Sequence, residues 1–175
     1  MINIQLFGMP GSGKSTTAAG LFFEMKKQGI KVEYITEIAK DIVYSKDFFT
    51  LKDQLMITAR QHHQLFKLEG QVDFTINDGP FLIGLAFLQD NEHLPRKEFE
   101  DLVLKMYQSY TNINIFLEKK EDQPHEKYGR RENELECIEI GKKIKNILDE
   151  NNIQYHVVKI SDHVIEDILK IIIRS

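Results

Sequence analysis

The chain has 175 residues, 42% of them hydrophobic and 29% charged, which is the balance of a globular domain with one core. Its formal net charge of −4 disfavours a polynucleotide as an obligatory partner, because nucleic-acid-binding domains present basic surfaces. The single cysteine, Cys137, excludes an intrachain disulfide, and no apolar run reaches the length of a membrane span. We therefore expect one cytoplasmic domain over residues 1–175, without a membrane anchor.

Hydrophobic periodicity divides the chain into alternating strands and helices. The predicted strands cover residues 2–7, 31–35, 71–77, 112–118 and 154–160. The predicted helices cover residues 14–28, 38–44, 51–70, 80–88, 95–110, 134–150 and 162–173. Strands that alternate with helices in this way form a parallel sheet covered by helices on both faces. The predicted fold class is therefore α/β.

Two of these helices carry an apolar stripe that we expect to face the core. In the helix at 51–70 the stripe consists of Leu51, Leu55, Ala59, His62 and Phe66. In the helix at 134–150 it consists of Leu135, Ile138, Ile144, Ile147 and Leu148. The third strand is unusual, because Asp73, Thr75 and Asn77 alternate with apolar residues. A buried central strand should be less polar, and nothing in the sequence explains the pattern.

The segment from Gly8 to Ser15, GMPGSGKS, fits the phosphate-binding pattern G-x-x-x-x-G-K-[ST]. A strand precedes it and a helix follows it, which is the context this P-loop requires and a chance glycine-rich turn lacks. Its backbone N–H groups would cradle a polyphosphate, Lys14 would reach the β- and γ-phosphates, and the Ser15 hydroxyl would ligate Mg²⁺. The motif therefore predicts binding of ATP and Mg²⁺. The residues assigned to this site are Gly8, Gly11, Ser12, Gly13, Lys14, Ser15 and Thr16.

Two acidic residues, Glu37 and Asp78, follow the second and third predicted strands. In open α/β sheets, ligands bind outside the carboxyl ends of the strands. Glu37 could accept the proton of an acceptor hydroxyl there, and Asp78 could serve the acceptor or a Mg²⁺-bound water. The alternatives are that Glu37 stabilises a helix N-terminus and that Asp78 is an ordinary Asp-Gly turn residue.

Two further residues are weaker candidates for the acceptor side. Arg60 faces away from the apolar stripe of its helix, so it either points into an acceptor cleft or lies on the solvated surface. Phe81, like Phe48 and Phe49, could stack on an acceptor base, although aromatic residues near strand ends more often belong to the core.

The order of these parts resembles the nucleoside and nucleotide kinases of the P-loop class. Its members include thymidylate kinases, deoxynucleoside kinases and nicotinamide-riboside-kinase-like ATP-binding proteins. The resemblance covers essentially the whole chain as architecture, with the P-loop as its one specific motif. It implies the strand order 2-3-1-4-5 and transfer of the ATP γ-phosphoryl group to a nucleoside or nucleoside monophosphate. The chain departs from these kinases at Asp78-Gly79-Pro80, where many of them carry Asp-Arg-Ser or Asp-Arg-Tyr, and at Gln54 and Arg60, which only approximate their Gln-plus-Arg pair.

The charged segment 119–133 occupies the position of the lid in the resembling kinases. The resemblance implies that Arg130 and Arg131 close over ATP and contact the transferring phosphoryl group. Arginine suits that task because its charge is fixed and its donors form a planar fork. The alternative is an ordinary solvated loop of similar composition.

A second function remains open, namely a P-loop NTPase that acts as a switch or drives a partner protein. A small-molecule kinase is favoured because the sequence offers no separate sensor domain, and because a lid would exclude the water that otherwise hydrolyses ATP. The expected partner is a small nucleoside or nucleotide acceptor, and a homodimer is an option for the assembly.

Overall fold

The computed structural model describes residues 1–89, 93–119 and 132–174. The strands are β1 (Ile2–Phe7), β2 (Val32–Ile35), β3 (Phe74–Asn77), β4 (Thr111–Glu118) and β5 (His156–Lys159). The α-helices are α1 (Lys14–Lys27), α2 (Ile38–Tyr44), α3 (Gln54–Phe66), α4 (Arg96–Gln108), α5 (Glu134–Glu150) and α6 (Val164–Arg174). Two 3₁₀ helices, Thr50–Lys52 and Phe81–Phe87, also lie in the described residues. None of the helices in these ranges is long and apolar enough to cross a bilayer.

All five strands run parallel in the order β2-β3-β1-β4-β5, which confirms the predicted topology. The central strand β1 pairs with β3 on one side and β4 on the other, and Ile4 lies in register with Ile76 and Ile113. Because the carboxyl ends of β1, β2 and β3 meet at one edge, the P-loop and the segments that follow β2 and β3 converge there.

Apolar side chains cover both faces of the sheet. On one face, Leu6 and Ile115 pack with Leu21 of α1 and Ile168 of α6. On the other face, the core is formed by residues from β1, α3, the second 3₁₀ helix, α4 and α5. Its largest members include Phe7, Leu65, Leu82, Tyr107 and Leu148. The predicted arrangement of helices on both faces is therefore confirmed.

Two polar residues of β3 form hydrogen bonds with the neighbouring elements β1 and α3. The Thr75 hydroxyl donates to Asn3 Oδ1 at 2.7 Å, and both residues are fully buried. Asn77, also fully buried, accepts a bond on its Oδ1 from Gln61 Nε2 at 3.1 Å. Buried polar side chains are tolerated when they are bonded to one another in this way. Thr75 and Asn77 of the polar alternation are therefore each bonded to a neighbouring element, whereas Nδ2 of Asn3 and Nδ2 of Asn77 are buried without a partner among the described residues.

The apolar stripe predicted for α3 is wrong. Leu55 and Phe66 are 50% and 55% exposed, and His62 is only partly buried. The buried residues of this helix are Gln54, Ile57, Thr58, Gln61 and Leu65. Asp53 is the N-cap of the helix, and its carboxylate accepts a hydrogen bond from Met56 N at 2.9 Å. The polar side of the helix faces inward because that side meets a cleft rather than the core.

The stripe predicted for α5 is wrong at its first two positions, since Leu135 is 74% and Ile138 39% exposed. The buried residues are instead Cys137, Gly141, Ile144 and Leu148. Gly141 explains the rotation of the helix, because a Cβ at this position would lie 2.8 Å from Met9 Cβ. The helix therefore packs its glycine directly against the P-loop.

Candidate functional site

The backbone conformation of the P-loop requires glycine at three positions. Gly8, Gly11 and Gly13 have φ angles of 145°, 86° and 84°, which residues other than glycine rarely adopt. A Cβ on Gly8 would also lie 2.4 Å from Ser12 Oγ and 2.8 Å from the Leu117 carbonyl oxygen. A loop in this conformation, placed at the start of α1, presents successive N–H groups to an anion.

Polar groups at the loop match the needs of a triphosphate and its metal. Lys14 Nζ donates to the carbonyl oxygens of Gly8 and Met9, both at 3.2 Å, and so spans the loop. Ser12 Oγ is fully buried and has no hydrogen-bond partner among the described residues. Ser15 Oγ lines the cleft beside the loop. These groups fit a nucleotide polyphosphate, with the Ser15 hydroxyl available to Mg²⁺.

Asp78 ends β3 as a nearly completely buried acid. Its Oδ2 accepts a hydrogen bond from the Tyr34 hydroxyl at 2.8 Å, whereas its Oδ1 has no partner among the described residues. Burial, reinforced by the negative charge of Asp78, raises the pKa of Tyr34, so this hydroxyl stays a donor at neutral pH. An Asx turn at Asp78 would need an N–H on residue 80, which is a proline, and Gly79 N donates to Asn77 Oδ1.

Glu37 stands at the N-terminus of α2 and lines the same cleft. This is the position that the helix-N-terminus alternative requires, although the carboxylate accepts no capping hydrogen bond from that helix. Burial raises the pKa of Glu37, and the negative charge of Asp78 adds to this shift while the Lys14 ammonium opposes it. A carboxylate with a raised pKa holds a proton better near neutral pH, which suits a general base.

Gly79 is required by the position of Glu37. A Cβ at Gly79 would lie 2.8 Å from both Cβ and Cγ of Glu37 and 2.9 Å from its Cα. Any side chain at position 79 would therefore collide with Glu37. This contact gives a physical reason for the Asp78-Gly79-Pro80 sequence.

Gln61 of α3 joins the backbone around both acids. Its Oε1 accepts a bond from Ile38 N at 3.0 Å, and its Nε2 donates to the Thr36 carbonyl oxygen and to Asn77 Oδ1, both at 3.1 Å. The residues bonded in this way flank Glu37 on both sides and precede Asp78. Since Gln61 is only 3% exposed and its polar atoms are engaged, it acts as a structural clamp rather than a ligand group.

The P-loop opens into a cleft of about 670 Å³, a size typical of small-molecule sites. Beyond the P-loop its walls carry both apolar and polar side chains, and the polar ones include Gln54 and Thr58 of α3 and Glu136, Glu139 and Lys143 of α5. Gly84 brings two of these groups together, because a Cβ there would lie 3.1 Å from both Gln54 Oε1 and Thr58 Oγ1. Thr58 Oγ1 is buried without a partner among the described residues. The apolar lining includes Val43, Leu51, Ile57, Phe81, Ile83, Phe87, Leu88, Ile140 and Ile144.

The sequence-predicted residues divide into those that line this cleft and those that do not. The P-loop residues Lys14 and Ser15 line it together with Glu37 and Phe81, although Phe81 is also packed against Tyr107 and His62 in the core. The structure does not bring Arg60 to the cleft. Its side chain is exposed, with Nη1 4.0 Å from Met56 Sδ.

Several predicted residues fall outside the cleft or outside the described ranges. Phe48 and Phe49 are exposed on the surface. Arg130 and Arg131 lie outside the described residues, as does most of the predicted lid 119–133. Sequence reasoning missed Tyr34, Lys40, Gln54, Thr58 and Gln61. For α3, the one available signal was the spacing of polar residues at positions 54, 58 and 61, which is helical and marks a polar inner face.

Comparison with known proteins places this geometry in a family. The family model described as AAA domain matches residues 3–165. Deoxyadenosine kinase from M. mycoides with bound dCTP is similar in structure, with a TM-score of 0.63 and 19% identity over 99% of this chain and 100% of that chain. Thymidylate kinase from Ehrlichia chaffeensis gives a TM-score of 0.61 and 15% identity over 98% of this chain and 97% of that chain. No functionally curated protein shows significant sequence similarity. The similarities confirm the predicted P-loop kinase-like fold.

The contact between Gly79 and Glu37 predicts an energetic coupling. Gly79→Ala should lower the free energy of unfolding by about 1–3 kcal/mol, because the added methyl overpacks against Glu37. A Glu37→Gly background removes the contacts with Cβ and Cγ and keeps only the one with Cα, so the same substitution should cost at least about 0.5 kcal/mol less. Urea denaturation of the four proteins of this cycle measures the coupling, and strictly additive effects would contradict the contact.

The raised pKa of Glu37 predicts a pH-dependent cost to stability. The unfolded chain ionises this group near pH 4.5, whereas the folded protein holds the proton to higher pH. Stability is therefore lost as pH rises through the folded pKa, because the folded state then carries a disfavoured charge. Glu37→Gln should raise the melting temperature at about pH 8 and change it much less at about pH 4.5. Thermal unfolding of both proteins at both pH values tests this, and an equal difference at the two values would refute it.

Proposed function

The chain belongs to the AAA domain family, and we propose that it is a kinase that transfers the γ-phosphoryl group of ATP to a nucleoside or nucleoside monophosphate. The observation that carries this proposal is the cleft in which the P-loop and Glu37 meet a pocket lined by both apolar and polar side chains, with Asp78 buried beside it. The pocket adjoins the phosphate end of the site, which is where a second substrate must lie to attack the γ-phosphorus.

The donor half of the site binds the triphosphate. The backbone amides of the P-loop and the Lys14 ammonium would neutralise the β- and γ-phosphates. Mg²⁺, when bound, supplies further positive charge to these oxygens, and Ser15 Oγ and the unpaired Asp78 Oδ1 are the groups suited to hold it, the latter through a water. The Tyr34 hydroxyl fixes the other Asp78 oxygen, so that Oδ1 keeps its direction.

The acceptor half supplies the nucleophile. An acceptor oxygen, either a hydroxyl of a nucleoside or a phosphate oxygen of a nucleoside monophosphate, forms a bond to the γ-phosphorus. The bond from that phosphorus to the β,γ-bridging oxygen breaks, so ADP leaves with the electron pair. Where the nucleophile is a hydroxyl, its proton passes to the Glu37 carboxylate, whose raised pKa makes it an effective acceptor. Gln61 and Gly79 keep Glu37 in place during this transfer.

The pocket composition suits a nucleoside moiety. Apolar side chains of α2, α3 and the 3₁₀ helix Phe81–Phe87 would cover the faces of a planar ring. Gln54 and the unpaired Thr58 hydroxyl are the groups placed to bond its polar edge. Ligand sites of this type combine an apolar lining with a few polar groups that fix orientation.

A partner-driven NTPase is the competing function, and membership in the AAA domain family is compatible with it. Hydrolysis alone needs only the P-loop, a metal and a water. It makes no use of the acceptor half of the cleft. The kinase proposal uses that half, which is why we prefer it.

ADP release in the presence of Mg·ATP distinguishes the two functions. A panel of nucleosides and nucleoside monophosphates should contain at least one compound that raises ADP release by about 10²-fold or more over ATP alone, because positioned attack replaces slow hydrolysis. Lys14→Ala should abolish this release with the fold intact by circular dichroism, since Lys14 stabilises the transferring phosphoryl charge. ADP release that is rapid without acceptor and indifferent to the whole panel would favour the NTPase.

Glu37 as the general base predicts a pH profile. As pH falls through the raised pKa of Glu37, the carboxylate becomes protonated and kcat/KM for the acceptor should fall with it. Glu37→Gln should lower turnover by about 10²–10⁴-fold and remove this acidic limb, while ATP affinity changes little. The profile is measured with the best acceptor of the panel. An unchanged acidic limb in the variant would assign the proton transfer to another group.

A further inference from the structure

Lys40 brings a second ammonium group to the phosphate end of the cleft. It lies on α2, three residues after Glu37, and its side chain lines the cleft. Its Nζ donates to Ser15 Oγ at 3.4 Å. Ser15 is the P-loop hydroxyl suited to Mg²⁺, so Lys40 sits where positive charge is needed, and it reaches that place from a different element than Lys14.

The two lysines approach the phosphate site from different elements. Lys14 lies at the start of α1 and donates to the P-loop carbonyl oxygens of Gly8 and Met9. Lys40 comes from the β2–α2 side and crosses to the hydroxyl of Ser15. Its positive charge also acts on Glu37, where it favours the ionised carboxylate and opposes the effect of burial on that pKa. One helix therefore carries both the carboxylate and the cation toward the same point.

The bond to Ser15 is long and weak, which suits a group that changes partners. A distance of 3.4 Å is at the limit of an N–H···O hydrogen bond. A lysine ammonium is a point charge on a four-carbon stem with three rotatable donors, so it can move over several ångströms from a fixed Cα. When Ser15 Oγ serves the metal, Lys40 can donate instead to another anionic oxygen at the phosphate end of the cleft.

We propose that Lys40 is a catalytic residue of this site, which moves from Ser15 Oγ to a γ-phosphoryl oxygen of bound ATP and stabilises the charge of the transferring group. The proposal rests on the proposed function for its kinetic part. In that reaction the acceptor oxygen bonds to the γ-phosphorus as the bond to the β,γ-bridging oxygen breaks, and the Lys40 ammonium donates to a non-bridging oxygen throughout. Lys40 thereby contributes a positive charge from α2.

The test compares Lys40→Met, which keeps most of the apolar stem and removes the charge, with Lys40→Arg, which keeps the charge. Lys105→Met, on the exposed side of α4, is the matched control for loss of one positive charge. Calorimetry measures ATP binding to each protein with Mg²⁺ and with EDTA. Without metal the phosphates depend on protein cations, so Lys40→Met should weaken binding by about tenfold in EDTA and by only a few-fold with Mg²⁺. Lys40→Arg and Lys105→Met should bind like the original chain.

The kinetic arm uses the acceptor that the panel identifies. Lys40→Met should lower kcat by about 10²-fold with little change in the KM for ATP, as expected for loss of one donor to a developing charge. Lys40→Arg should retain a substantial part of kcat. Wild-type binding in EDTA together with wild-type kcat in Lys40→Met would overturn the proposal. So would a loss of ATP binding that is equal with and without Mg²⁺ and accompanied by a lower unfolding midpoint, because that result indicates a structural role.

The two arms separate this proposal from the proposed function. If the original chain phosphorylates no acceptor, the kinase function fails, but the contrast between EDTA and Mg²⁺ still decides whether Lys40 contacts the phosphates. If the chain is a kinase and Lys40→Met behaves like Lys105→Met in both arms, the proposal for Lys40 fails alone.

Discussion

The geometry of the site depends on one buried amide. Gln61 bonds the backbone on both sides of Glu37 and the side chain of Asn77, and Asn77 in turn accepts the bond from Gly79 N. A single side chain thereby joins three segments that are remote in sequence, namely residues 36–38, residues 77–79 and α3 itself. Loss of that amide would strand buried donors and acceptors at a cost of about 1–3 kcal/mol each, so the arrangement is enforced strongly. These hydrogen bonds set the position of Glu37 relative to Asp78.

Glu37 shows what the arrangement costs. The carboxylate lies where burial disfavours its charge, and the close approach of Gly79 leaves it little room to relax. A site that only had to be stable would place a neutral or apolar group there. Retention of a disfavoured charge at a cleft, beside a P-loop, is the pattern expected where binding or chemistry has been gained at the expense of stability.

Sequence reasoning reached the elements that follow local rules and missed those set by tertiary packing. The P-loop and the strand-end positions of Glu37 and Asp78 follow from motif spacing and from the alternation of strands and helices, whereas the sheet order was implied by the resemblance to P-loop kinases. The inner face of α3 could not be read from hydrophobicity, because the helix buries Gln54 and Gln61 and exposes Leu55. Tyr34 reaches Asp78 only because β2 pairs with β3, and Lys40 reaches Ser15 only because α2 folds back over the P-loop. Contacts between strands or between helices leave no local signature.

The site thus has two parts with different origins in the chain. The phosphate end is built at the ends of three adjacent strands, and α1 completes it with Lys14 and Ser15 while Gln61 of α3 holds the backbone around Glu37. The pocket beyond it is walled by α2, α3, the 3₁₀ helix Phe81–Phe87 and α5, and the side chains that face only this pocket can change without moving the strand ends. This separation is a physical reason why folds of this type keep their shape at identities of 15–19%. Under the proposed function, the choice of acceptor would rest with Gln54, Thr58 and the close approach of Gly84, and the phosphoryl chemistry with the sheet edge.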